Sequence, residues 1–154
     1  AIQTVRQLRF ALVDMDLHAK FPSEEMKTVI EVEKASANRF SLLPPLPEDR
    51  FLCSFTHIFS GGYSAGYFSY MWADVLAADV FGLFEEAGLE NDEAVQRIGR
   101  RYAQTLLGEG GARHPMEVFK SFRGREPDVT ALLRHKGLID RNASVAKPSV
   151  EKLA

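Results

Sequence analysis

From Ile2 to Leu17 the apolar residues Ile2, Val5, Leu8, Leu12 and Met15 recur at spacings of three and four. That rhythm predicts a helix with these side chains on its buried face. Pro22 and Ser23 interrupt it, and Ser23 is placed to cap a second helix that carries Glu24 and Glu25 in its first turn and runs to about Asn38. Pro44, Pro45 and Pro47 then impose a stiff connection. Between Phe51 and Phe59 the period changes. Phe51, Cys53, Phe55, His57 and Phe59 alternate with Leu52, Ser54, Thr56 and Ile58, which predicts a short extended segment.

After a loop at Ser60, Gly61 and Gly62, the stretch from Ala65 to Ala87 is apolar and aromatic, with Asp74 and Asp79 its only charges before Glu85. Such a helix needs cover on most sides. Its carboxylates argue against a membrane span, because they would fall within the hydrocarbon. Gly88 followed by Leu89 fits a helix C-terminus, and Asn91 fits the cap of a helix that continues to about Leu107 and stops at Gly108, Gly110 and Gly111. Pro115 opens a further helix to Phe122, and Pro127 one to Lys136, with Gly137 and Leu138 repeating the terminal pattern. The polar, aperiodic stretch that follows predicts a loose tail over 140–154, leaving 1–139 as the folded part. The fold class is mainly α, with one short extended segment.

Composition adds exclusions. The chain has 154 residues and a formal charge of −2, with 45% apolar and 26% charged residues, ordinary values for a globular protein. The near-neutral balance gives no electrostatic reason to expect nucleic acid or an anionic membrane as partner. Cys53 is the single cysteine, so no internal disulfide forms. Ala1 leads directly into helical periodicity with no cap or targeting segment, so the sequence is expected to be a piece of a longer chain.

Chemistry concentrates between His57 and Trp72, in the run H-I-F-S-G-G-Y-S-A-G-Y-F-S-Y-M-W. A helix starting near Ser64 places Tyr67, Tyr70 and Asp74 on one face, with Tyr63 at its entrance on the same side. Phenols are neutral donors at pH 7, suited to a carbonyl oxygen or a developing oxyanion near the positive end of a helix. Gly61 and Gly62 would let the loop approach a peptide backbone. On pattern alone, tyrosines at helical spacing are more often core packing with satisfied hydroxyls, and His57 among aromatics reads as a core histidine. Gly61 and Gly66 have the gap of a phosphate loop, but Tyr67 stands where lysine is required. No two of His18, His57, His114 and His135 have metal-binding spacing. Cys53 lies too far from His57 along an extended chain to be activated by it. Arg123 and Arg125 could bind an acidic group, yet Glu126 and Asp128 beside them suit a structural ion-pair role.

Three stretches are familiar together: F-T-H-I-F-S-G-G-Y-S-A-G-Y-F-S-Y-M-W-A-D-V-L-A-A-D-V-F, then G-G-A-R-H-P-M-E-V-F-K-S-F-R-G-R-E-P, then L-L-R-H-K-G-L. They resemble the C-terminal part of the M3 zinc metallopeptidases, most closely the oligopeptidase A and peptidyl-dipeptidase branch. The likeness is dense over Phe51 to Leu138 and looser in V-R-Q-L-R-F-A-L-V-D-M-D-L-H. It implies a helical part of a zincin-like catalytic domain. The family's H-E-x-x-H zinc helix is absent from this chain, so Zn2+ would be bound by residues outside it and no metal ligand is expected here. By resemblance Tyr70 is the principal oxyanion donor, His57 and Tyr63 hold the peptide near the scissile bond, and Tyr67 belongs to the same substrate-facing cluster with Gly61 and Gly62. Where the family often has an acidic residue before the proline, this chain has His114, a difference confined to a helix N-terminus.

The implied substrates are short peptides and the implied partner is the remainder of the same polypeptide, in the cytoplasm or, alternatively, an organelle. A chain of this kind would be inactive alone and would expose apolar surface or self-associate. A non-catalytic peptide-binding or interaction module is the alternative. Release of C-terminal dipeptides and internal cleavage are both compatible with the resemblance.

Overall fold

The structure, a computed structural model, describes residues 2–140, so the tail expected beyond Asp140 lies outside the described residues. Among those residues all regular structure is helical and no strand occurs. They fall into two compact units divided between Trp72 and Ala73. No helix among them is long and apolar enough to cross a membrane.

The first unit contains α1 (Ile2–Ala19), α2 (Val29–Phe40), α3 (Phe51–Ser54), a 3-10 turn (Thr56–Ile58) and the start of α4 (Ser69–Ala87). α1 forms where expected but buries a different face. Phe10, Ala11, Val13, Asp14 and Asp16 are buried, whereas Ile2 and Leu8 are exposed and Val5, Leu12 and Met15 half-buried. The regular stripe misled because α1 is apolar on several sides from Leu8 onward, while the face that packs inward carries two carboxylates. α2 lies against α1: Ser36 Oγ donates to the Arg9 carbonyl at 3.1 Å, and Arg9 pairs with buried Glu33 at 3.3 Å. Burial comes first among the causes that raise the Glu33 pKa, followed by the charge of Asp49, with Arg9 and Arg50 opposing.

α2 starts at Thr28 rather than Ser23. The Thr28 hydroxyl accepts the Glu31 N–H at 3.2 Å and the Glu31 carboxylate accepts the Thr28 N–H at 2.8 Å, a reciprocal cap that satisfies two otherwise orphaned donors. Ser23 instead closes a turn by accepting the Met26 N–H at 3.1 Å.

The extended segment expected at Phe51–Phe59 is also corrected. Asp49 accepts the Phe51 N–H at 2.9 Å and starts a helical turn, so Leu52, Phe55 and Ile58, three apart, become the buried positions while Cys53 and Phe59 stay exposed. The aromatic alternation was real in sequence but did not mark the buried side. The estimate of Cys53–His57 separation, which assumed an extended chain, falls with it.

The second unit holds most of α4, then α5 (Asp92–Tyr102), α6 (Pro115–Arg123) and α7 (Thr130–His135). Asn91 caps α5 by accepting the Ala94 N–H at 3.1 Å, and α5 passes into a wider π-helical turn over Ala103–Leu107. His114 caps α6, its Nδ1 accepting the Met116 N–H at 3.2 Å. α7 begins at Thr130 rather than near Pro127, after Asp128 accepts the Thr130 N–H at 2.8 Å.

The buried residues of α4 are Ala78, Asp79 and Gly82; Trp72 and Phe81 are about half exposed, so the described residues do not supply the expected cover on most sides. Asp79 organises the unit. Arg123 Nε donates to it at 3.0 Å, Arg125 Nη1 at 2.7 Å and Nη2 at 2.5 Å, and the Asp128 N–H at 2.7 Å. Arg123 also forks onto Glu86. The two arginines thus have a structural ion-pair role, with Asp79 and Glu86 as its main carboxylates.

Candidate functional site

The residues singled out between His57 and Tyr70 all lie in the first unit. Their placement begins with backbone closure. The Thr56 carbonyl accepts the Gly61 N–H at 2.8 Å, the His57 carbonyl accepts the Tyr63 N–H at 3.0 Å, and the Ser64 hydroxyl donates to the Ile58 carbonyl at 2.6 Å. The loop therefore folds back on the 3-10 turn that carries His57. Gly61 is required by this closure, because a Cβ there would sit 2.7 Å from the His57 Cα and 3.0 Å from its carbonyl oxygen. Gly62 has φ +81°, a conformation that side chains disfavour.

α4 starts at Ser69, later than the expected Ala65, so Tyr67 precedes the helix and Tyr70 is its second residue. The cause lies in the backbone. Ala65 takes a positive φ of 54°, and the N–H groups of Ala65 and Tyr67 both point at Asp14 of α1, each donating at 2.8 Å to a different carboxylate oxygen. The tyrosines nevertheless gather. Tyr63 and Tyr70 stack with centroids 4.9 Å apart, and Tyr67 lies 5.1 Å from Tyr70. The His57 ring is 6.2 Å from Tyr63, 6.0 Å from Tyr67 and 6.5 Å from Tyr70.

The four rings differ in role. Tyr67 is 8% exposed, packs edge-on against Phe55 at 5.0 Å and donates its hydroxyl to Gln7 Oε1 at 3.1 Å. It joins the tyrosine group to the aromatic core of Phe10, Phe51 and Phe55. Tyr63 and Tyr70, 36% and 39% exposed, present their rings to solvent. His57 is exposed as well, so the core reading of this histidine does not hold. Hydrogen bonding with the Tyr63 phenol is the first cause raising the Tyr70 pKa, with burial and the neighbouring phenols adding to it. For Tyr67 burial is first, opposed by Arg6 and Gln7. Both phenols accordingly remain protonated donors at neutral pH.

Residues missed in the sequence lie on one line of α1. Gln7, Ala11, Asp14 and His18 follow spacings of four, three and four, so they share a face. α1 carries other polar residues as well, among them Gln3, Thr4, Arg6, Arg9 and Asp16, so spacing alone did not set this line apart. The partners of Gln7 and Asp14 lie 51 to 60 residues away, which no local pattern reveals.

A helical chain that carries neutral hydroxyl donors and an imidazole on one exposed surface is the class of protein these features define. The sequence belongs to peptidase family M3, whose family profile matches residues 1–138. It is 51% identical over 140 residues to a probable cytosolic oligopeptidase A of Arabidopsis thaliana, covering 91% of this chain and 20% of that protein. It is 50% identical over 141 residues to an organellar, chloroplastic/mitochondrial oligopeptidase A of the same plant, covering 92% and 18% respectively. A dipeptidyl carboxypeptidase of Escherichia coli K12 is 33% identical over 133 residues, covering 85% and 19%. The chain thus spans about a fifth of the length of these relatives.

Among the described residues no group of three or more His, Cys, Asp or Glu side chains could hold a metal ion. The described residues by themselves do not fit a zinc site.

Proposed function

We propose that this chain forms the substrate-facing wall of a peptidase that hydrolyses short peptides, with the rest of the same polypeptide supplying the metal-binding residues. Tyr70 donates its phenol to the oxygen of the scissile carbonyl as negative charge develops there, and Tyr63 and His57 bind the adjoining peptide backbone. Tyr67 holds the cluster from behind, and Gly61 and Gly62 bring the loop backbone close to the peptide.

The observation that carries this reading is the pair of stacked, exposed phenols beside an exposed imidazole. A neutral donor already in place when an oxyanion forms stabilises the transition state more than the ground state. Membership of peptidase family M3 supports the reaction class. A cytoplasmic setting, with an organelle as the alternative, fits relatives named as cytosolic and organellar.

Tyr70→Phe in the intact enzyme tests the assignment. It removes one hydroxyl and leaves the ring, so kcat for a short peptide falls by about a hundredfold or more with metal content unchanged. Wild-type turnover in this variant overturns the assignment.

A further inference from the structure

Asp14 is completely buried, although it lies on a helix where solvent was available to an outward-facing side chain. Its carboxylate serves two backbone donors at once: Oδ1 accepts the Ala65 N–H and Oδ2 the Tyr67 N–H, both at 2.8 Å. One turn further along α1, His18 Nδ1 lies 2.9 Å from Asp14 Oδ1 and 2.9 Å from the Asp14 carbonyl. Two turns before Asp14, Gln7 accepts the Tyr67 hydroxyl. Between them stands Ala11, buried and small enough for the loop to lie close to the helix.

We infer that Asp14, seated by His18, is a positioning residue for the tyrosine cluster: it clamps the segment Ala65–Tyr67 in a conformation the segment does not favour, and thereby sets where Tyr63 and Tyr70 stand. The inference rests on the proposed role of those tyrosines. Its physical basis is Ala65. A φ of 54° is disfavoured for a residue with a Cβ, and two short hydrogen bonds to one carboxylate hold it there. Tyr67 lies two residues beyond Ala65 and α4 starts two residues after that, so releasing the clamp lets residues 65–68 join the helix or fray. Either change moves the Tyr70 phenol relative to Tyr63.

Asparagine at position 14 keeps one acceptor oxygen but faces the second N–H with an amide NH2, so half the clamp is lost. In the intact enzyme, Asp14→Asn lowers kcat for a short peptide about tenfold or more, with metal content unchanged and a smaller change in KM. The amides of Ala65 and Tyr67 exchange with solvent faster in the variant. Ala65→Gly, which takes a positive φ without a Cβ, restores at least a third of the lost kcat when combined with Asp14→Asn. A role of Asp14 in general stability alone would give no such rescue.

Wild-type kcat in Asp14→Asn, or loss of kcat without rescue by Ala65→Gly, overturns the positioning role. Tyr70→Phe separates the two levels: loss of turnover there with wild-type turnover in Asp14→Asn rejects Asp14 alone. Wild-type turnover in Tyr70→Phe rejects the tyrosine assignment and the role of Asp14 with it.

Discussion

Replacing Asp79 by asparagine tests whether the second unit is held by its ion-pair network or by its modest apolar core. Asp79 is 1% exposed and accepts three hydrogen bonds from two guanidinium groups and one from the Asp128 backbone. Asparagine has nearly the same shape but turns an NH2 toward donors. The contribution of Arg125 is discounted, because its side chain is 43% exposed and water can replace the lost contact. Arg123 is almost fully enclosed, and its bond to Asp79 is worth about 1.5–3 kcal/mol as a charge-assisted contact. An unsatisfied Asp128 N–H adds about 1 kcal/mol. Glu86 still neutralises Arg123, so the loss stays near the low end of the roughly 3–5 kcal/mol typical of a broken buried pair.

A loss of about 3 kcal/mol corresponds to amide exchange in α4, α6 and α7 more than about a hundredfold faster at pH 7, read by mass spectrometry. The pH dependence follows from the Asp79 pKa. Burial, its largest single influence, pushes the pKa up, but the hydrogen bonds from Arg125, Arg123 and the Asp128 backbone together outweigh it and hold the value below the ordinary carboxylate range. A depressed folded-state pKa contributes stability above the unfolded value of about 3.9, and that contribution is lost as pH falls through the folded value. The gap between wild type and Asp79→Asn therefore narrows below about pH 4. Acceleration of less than about threefold at pH 7, or a gap that does not change with pH, refutes this account.

Other perturbations address the first unit and the α6 cap. Gly61→Ala forces a Cβ to 2.7 Å from the His57 Cα, so the loop shifts, and kcat/KM for a short peptide falls about tenfold while far-UV circular dichroism is unchanged; wild-type kcat/KM would show that the closure is not needed. Glu33 has the opposite sign to Asp79: its raised folded-state pKa gives stability that is present below the unfolded value and lost as pH rises through the folded one. Glu33→Gln accordingly gains on wild type between pH 4 and pH 7 in urea titrations, and a constant difference would contradict the role given to burial. His114→Ala removes the acceptor at the start of α6 and costs about 0.5–2 kcal/mol, read as faster exchange of the Met116 and Glu117 amides.

Much of the fold was legible in sequence because helix-forming signals are local. Asn91, Pro115 and Gly88 mark ends that neighbouring residues decide, and α1, α5, α6 and the C-terminal end of α4 appear close to the expected places. The errors arose where a residue outside the apolar pattern, near or remote, decided the outcome. The buried face of α1 depends on what packs against it, and two of its inward positions are carboxylates whose burial no hydropathy pattern predicts. The turn at Phe51 depends on Asp49, a polar residue outside the aromatic alternation. The late start of α4 depends on Asp14, 51 residues away from the nearer donor.

The candidate site shows the same division between chemistry and support. Residue types singled out the tyrosines beside the glycine-rich loop only as candidate donors, and their proposed roles came from the resemblance. Spacing alone placed Tyr67 and Tyr70 on one helical face, with Tyr63 at the helix entrance on the same side. The fold makes them unequal: Tyr67 is turned into the core and bonded to Gln7, while Tyr63 and Tyr70 stack at the surface. That inequality follows from α4 starting after Tyr67, which follows in turn from two backbone donors being claimed by Asp14. Had residues 65–68 continued the helix, Tyr67 and Tyr70 would project from adjacent positions on one face, and no phenol would be singled out as the support. If the proposed roles hold, the Asp14 carboxylate, itself remote from the reaction, governs which tyrosines stay exposed, because it holds the Ala65 and Tyr67 N–H groups outside the helix.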